Sequence, residues 1–282
     1  MAVERGARIQ RLTVEPTAGL ANRLRVLASG MALSRRLGCP LRVIWTRTPD
    51  LGCRFADLFE PVPGIAVIER SWTASRIMRF VEARTRFDEY ITQPRVERLL
   101  DSDYDFTALE RARLPFIITC SRFYPSQGEL ARLVPRPSIT STVRACVASF
   151  TPSTVGVHVR RTDNVEAIAR SPTRAFLTLM HERVRDDPAT TFFVATDSRD
   201  EEQAMRQVFG DRVMARPKEL SRSRPAGIRD ALVDLLCLAQ TSLVIGSYWS
   251  AFSEAAAELG GRPLIVIDVT RGTSSTVHRR LT

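Results

Sequence analysis

Short apolar, β-branched runs alternate along this chain with longer stretches whose apolar residues recur at helical spacing. RIQRLTVEP opens with a strand and the loop TAGLANR follows. Leu24, Leu27, Ala28, Met31, Ala32 and Leu37 then share a helical face up to Gly38, a residue suited to ending a helix. LRVIW (41–45) and IAVIE (65–69) predict two more strands, helical patterns cover 71–86 and 94–111, and PFIIT (115–119) reads as a strand. Prolines at 125, 135 and 137 interrupt the rhythm before a helix near 140–149. In the second half, TVGVHVR (154–160), TFFVAT (191–196), RVMA (212–215), SLVIGS (242–247) and LIVID (264–268) are strands separated by helix-length segments. Strand and helix in alternation, joined by right-handed crossovers, build parallel sheets. The expected fold is therefore α/β with two Rossmann-like halves, residues 1–150 and 151–282, and a ligand at the C-terminal ends of the strands.

The polar residues cluster at those ends. VGVHVRRTDN (155–164) runs as a core strand and then delivers Arg160, Arg161 and Asp163 together. Alternation sends the two arginines to opposite sides of the strand. Two readings stand for them: a structural Arg–Asp pair with Asp163 as local partner, or a guanidinium offered to a phosphate, whose oxygens it matches bidentately. Asp197 and Ser198 follow the next strand, and Ser247, Tyr248 and Ser250 follow SLVIG. In TAGLANR, Gly19 and Asn22 lie in a small-residue turn entering a helix, where backbone N–H groups can face an anion. That turn is neither GxGxxG nor a P-loop. Asp230 and Asp234 stand four residues apart on one helical face. Asp234, flanked by Val233, Leu235 and Leu236, is expected to be semi-buried and to need donors. Guanine N1–H and its exocyclic amine would supply two. Ser250 is placed as an N-cap or a phosphate ligand.

Composition narrows the classes. The net charge of +10 over 282 residues admits anionic partners, yet every basic residue but Lys218 is arginine, and the arginines are scattered along the chain. Codon bias in a GC-rich genome is enough to produce such a pattern, so the charge carries little weight, and with no basic recognition helix or aromatic cluster a nucleic-acid partner is not expected. Five cysteines without CxxC spacing support neither a disulfide framework nor a zinc site. The N-terminus has no apolar signal region, and nothing approaches the roughly 18 apolar residues of a membrane span, so a cytoplasmic location is expected.

GLANRLR, VGVHVRRTDN, and ATDS followed by the Asp-bearing helix and SYWSAFSEAA together resemble the fucosyltransferase superfamily: the α-1,6-fucosyltransferases, the rhizobial nodulation fucosyltransferase and the protein O-fucosyltransferases. The likeness runs from about Gly19 to Asp268; HVRRTD is its most specific part and GLANR its least. The resemblance implies a bacterial-type enzyme with a GT-B-like pair of halves facing a cleft. It implies inverting transfer of fucose from GDP-fucose to a glycan or other hydroxyl acceptor, without a metal. Arg160 would then bind the β-phosphate, His158 would lie beside the guanine through its backbone, and Asp234 would read the guanine edge. Ser250 would sit near the diphosphate, with Gly19 and Asn22 closing from the acceptor half. Arg161, Asp163 and Asp197 would orient these groups. One departure stands out: the α-1,6 enzymes place a catalytic glutamate after HVRRTD where this chain has Ile168, with Glu166 two residues earlier. Glu166 serves as base if the loop is rearranged; otherwise the chemistry is dissociative, or the protein is a binder of nucleotide sugar or glycan that lost the base.

Overall fold

The structure, a computed structural model, describes residues 9–162 and 165–271. It divides into two compact units. The first comprises the chain up to Arg136 with Ser221–Arg229, and the second Pro137–Leu220 with the chain from Asp230 onward.

The first unit is built on a parallel five-stranded sheet of β1 (Leu12–Pro16), β2 (Leu41–Arg47), β3 (Ile65–Ser71), β4 (Glu89–Ile91) and β5 (Pro115–Thr119), in the order β3-β2-β1-β5-β4. Central β1 is buried at every position, as a strand covered on both faces must be. Helix α1 (Leu20–Leu37) packs over it and ends at Gly38, whose left-handed φ of 62° lets its N–H reach Arg35 O. Helix α2 (Trp72–Thr85) follows β3. The pattern over 94–111 splits in two: α3 (Gln93–Asp101) stops where Asp103 turns left-handed (φ 51°), and Asp105 then caps a 3-10 turn by accepting the Thr107 N–H at 2.9 Å. Strand β4 has no counterpart in the sequence reading, since three residues are too few to show a period.

The second unit holds β6 (Thr154–Val159), β7 (Thr191–Thr196), β8 (Val213–Met214), β9 (Leu243–Ser247) and β10 (Leu264–Ile267), again parallel, ordered β10-β9-β6-β7-β8. Numbered from its own first strand this is the doubly wound order 3-2-1-4-5, and the order reverses between β6 and β9. Helix α4 (Pro137–Val147) groups with this unit, so the contact boundary falls after Arg136 and not at 150. The remaining helices are α5 (Val165–Arg170), α6 (Thr173–Asp186), α7 (Arg199–Phe209), α8 (Pro225–Leu238) and α9 (Ala251–Gly260).

Alternation along β6 sorts its two faces. Val155, Val157 and Val159 join Phe176 and Met180 of α6 and Met205 of α7 in one core. Gly156 and His158 face the other way: a Cβ on Gly156 would lie 2.8 Å from Leu238 Cδ2, and the His158 ring stacks on Phe252 at 4.6 Å. Both faces are thus covered, and only the strand ends remain for ligand chemistry.

Candidate functional site

The site is built on the C-terminal edge of the second sheet, at the β6/β9 reversal. Arg160 emerges there with its backbone N–H donated to Ser247 Oγ at 3.0 Å. Arg161 continues on the Val159 side, as alternation predicts, and its side chain is committed to the fold. Its Nε donates to Glu201 Oε1 at 2.7 Å and its Nη2 to Thr173 Oγ1 at 3.2 Å, with the guanidinium 5.9 Å from the Phe176 ring centroid. The acid opposite Arg161 is therefore Glu201 of α7; Asp163 lies outside the described residues. Asp197, just past β7, accepts the Arg161 N–H at 2.8 Å and the Thr162 hydroxyl at 2.7 Å, which ties the loop after β6 to the neighbouring strand.

His158 is buried, and its Nδ1 lies 2.8 Å from Ser253 Oγ and 3.4 Å from Ser250 Oγ. Its side chain thus anchors the start of α9. Ser250 takes the N-cap position of that helix, with its hydroxyl buried toward His158 and not on the helix N–H groups. Gly246 makes the approach possible: a Cβ there would sit 2.2 Å from Ser253 Oγ.

Asp234, 4% exposed, finds its donors within the chain. Arg216 Nε donates to Oδ1 at 3.2 Å and Lys218 Nζ to Oδ2 at 2.6 Å, while Arg216 Nη2 also reaches Asp230 Oδ1 at 2.7 Å. Burial pushes the Asp234 carboxyl up, and Lys218 and Arg216 oppose that push. Arg216 and Lys218 come from the segment after β8, which the sequence reading left unassigned. The one available signal was that Lys218 is the only lysine in an arginine-rich chain. Both residues line a cavity of about 350 Å³ together with Thr196, Ser198, Arg199 and Pro217, at the β7/β8 end of the same sheet edge. Cys146 and Cys237 share a hydrogen bond that lowers the first thiol's pKa and, with burial, raises the second's.

Glu166 sits in the first turn of α5, exposed, 3.8 Å from Arg170. Ile168 is also exposed. Arg170 and Ser171 lace three loops together. Arg170 Nε donates to Asp268 Oδ1 at 3.0 Å, and its guanidinium lies 3.5 Å from the Tyr248 ring centroid. Ser171 Oγ donates to Ile267 O at 2.6 Å and accepts the Tyr248 N–H at 2.7 Å.

In the first unit, Gly19 is the N-cap of α1 with φ −75°, and a Cβ there would meet nothing within 4 Å, so neither backbone geometry nor packing requires the glycine. Asn22 Oδ1 is buried without a hydrogen-bond partner among the described residues. Arg23 is structural. It is fully buried and donates to Ala18 O at 2.8 Å and Thr48 Oγ1 at 3.0 Å, and burial brings its pKa down to about 10. Glu15 at the end of β1 is likewise enclosed, accepting from Thr46 Oγ1 at 2.6 Å, Ser75 Oγ at 2.7 Å and Arg79 Nη2 at 2.7 Å. Among the described residues no helix is long and apolar enough to cross a membrane, and no three His, Cys, Asp or Glu side chains gather as a metal site.

No model of a known protein family matches the sequence, and no curated protein matches it. The fold does match solved structures. NodZ α-1,6-fucosyltransferase soaked with GDP-fucose aligns with a TM-score of 0.64 at 22% identity over 93% of this chain and 96% of that one. A mutant of Arabidopsis thaliana FUT1 in complex with GDP gives 0.61 at 14% over 92% and 70%. POFUT1 in complex with GDP gives 0.55 at 14% over 92% and 98%. At these identities the likeness establishes a shared α/β fold, the class expected from the sequence.

Proposed function

We propose that the protein is a glycosyltransferase that takes fucose from GDP-fucose and delivers it, with inversion and without a metal, to a glycan or other hydroxyl acceptor. The observation that carries this reading is the place of Arg160 at the end of β6. Arg161 is spent on Glu201 and Thr173, and Arg160, its backbone N–H fixed by Ser247, stands at the strand-order reversal where doubly wound sheets bind nucleotides. Arg160 binds the β-phosphate, aided by the N-terminal N–H groups of α9 that Ser250 and His158 position. Asp197 and Arg161 orient the loop. The cavity beside Lys218 takes the base. A carboxylate has about four acceptor sites, of which Arg216 and Lys218 occupy two at Asp234. An ammonium beside a carboxylate complements guanine, which presents O6 as acceptor next to N1–H as donor; adenine presents the reverse.

The first unit, with Gly19 and Asn22, holds the acceptor side. Glu166 is the candidate base; a general base contributes about 10²- to 10⁴-fold, so Glu166→Gln should lower turnover by that range. Loss of less than twofold would favour a dissociative displacement assisted by Arg160.

Calorimetric titration with GDP, ADP and UDP in metal-free buffer tests the donor site, and selective GDP binding is expected. Acceptor-independent release of fucose from GDP-fucose then tests catalysis. Selective binding with no hydrolysis and no transfer would make the protein a nucleotide-sugar binder, the reading that Ile168 in place of the glutamate favours.

A further inference from the structure

Trp249 is the structural oddity of the second unit. It is 70% exposed, and it stands at φ 49°, a left-handed backbone that bulky side chains rarely adopt. Strain of this kind persists only where the surroundings enforce it. Here they do. Tyr248 N–H is held by Ser171 Oγ at 2.7 Å, the Tyr248 ring lies under Arg170, Arg170 is paired with Asp268, and Ser250 is buried against His158. The loop from Ser247 to Ser250 is thus clamped on both sides of Trp249, with its indole left at the surface.

The residues along the sheet edge change character in order. At the β7/β8 end lies the polar cavity with Lys218; at the β6/β9 reversal stand Arg160, Ser247 and Ser250; the segments after β9 and β10, with α5, carry Trp249, Val269, Val165 and Ile168, all exposed and apolar. A nucleotide sugar has the same order along its length: base, diphosphate, sugar. With the base toward β8 and the diphosphate at the reversal, the sugar comes to the apolar end. A 6-deoxyhexose brings a methyl group and a C–H-lined face to that position, where a 6-hydroxyhexose would bring a hydroxyl.

We infer that Trp249 is a donor-sugar specificity residue, held in its strained conformation so that its indole packs against the apolar face of a 6-deoxy sugar linked to GDP. This rests on the GDP-sugar reading above. Glycine accepts φ 49° without strain, so Trp249→Gly separates the two roles the residue can have. If the indole recognises sugar, the variant melts at or above the wild-type temperature, keeps GDP affinity within twofold, and binds GDP-fucose roughly 4- to 15-fold more weakly, the effect of one or two buried methylene-sized contacts. Trp249→Phe retains most of that affinity. Calorimetry with GDP and with GDP-fucose on the three proteins decides the matter. Unchanged GDP-fucose affinity in Trp249→Gly overturns the assignment, as does an equal loss for GDP and GDP-fucose. Failure of the wild type to bind GDP at all overturns the GDP-sugar reading and this inference with it.

Discussion

Ser247 Oγ accepts the Arg160 N–H at 3.0 Å, so the residue that ends β9 fixes the point at which the side chain following β6 departs. That fixed backbone sets the point from which the guanidinium reaches toward an anion, and the side-chain torsions are ordered only on binding.

Arg160→Ala is therefore expected to weaken GDP binding about 10- to 150-fold, the equivalent of a charge-assisted hydrogen bond of ~1.5–3 kcal/mol. Arg161→Ala should act on the fold first: it takes the cation from Glu201, which is 13% exposed, leaves the Thr173 hydroxyl as donor, and lowers stability. Calorimetry on the first variant and thermal melting on the second check these effects; wild-type GDP affinity in Arg160→Ala, or wild-type melting in Arg161→Ala, would mean that the arginines do not have the roles described.

Lys218→Met removes one of the two cations on Asp234. Breaking a buried ion pair costs about 3–5 kcal/mol, and the Arg216 that remains should keep the loss near the lower end. In the folded variant the preference for GDP over ADP should fall at least about tenfold, as expected for losing one charge-assisted contact. A variant that still discriminates fully would remove Lys218 from base recognition.

Asp268 gives a pH signature. Its hydrogen bond from Arg170, with further help from Thr270, holds its carboxyl down at about 2. A folded-state pKa below the ordinary value of about 3.9 means that the unfolded chain takes up the proton first as pH falls. The stabilisation is fully present above about pH 4 and is lost as the pH drops toward 2. Asp268→Asn should melt lower than wild type at pH 7, and the gap should close across that window. A gap independent of pH would show that the Arg170 pairing contributes nothing through charge.

Gly246→Ala should destabilise the second unit by about 1–3 kcal/mol, the usual cost of overpacking. Ser253→Ala should fail to rescue it, because Ser253 Cβ itself lies 2.4 Å from the added methyl position. Denaturant unfolding of the single and double variants measures both effects, and rescue by Ser253→Ala would locate the clash in the hydroxyl alone.

The sequence displays what is local. Nine of the strands were visible in it because both faces of a covered parallel strand are apolar; β4 was too short to register. The side of the strand that Arg161 takes followed from pleat alternation. What stayed hidden was pairing at a distance: Glu201 comes to Arg161 from 40 residues away, and Lys218 and Arg216 reach Asp234 from a segment with no periodicity of its own. Asp234, expected to be semi-buried and to need donors, is 4% exposed, and its donors lie in the chain, a fact that neither flanking residues nor spacing encodes. Trp249 could not stand out, because a positive φ leaves no mark on composition.

The first unit is discontinuous in sequence. Gly52 donates its N–H to Arg222 O at 2.9 Å, and a Cβ there would come within 1.9 Å of Ser223 O, so residues 221–229 complete the packing around the loop after β2. During synthesis this unit, though encoded first, stays unfinished until residue 229 has left the ribosome, when three strands of the other sheet already exist. The usual order, in which the N-terminal domain matures while the next is still being made, is closed to this chain. A nascent chain stalled at Arg136 would present an incomplete surface around Gly52, and a single proteolytic cut could not release either unit whole.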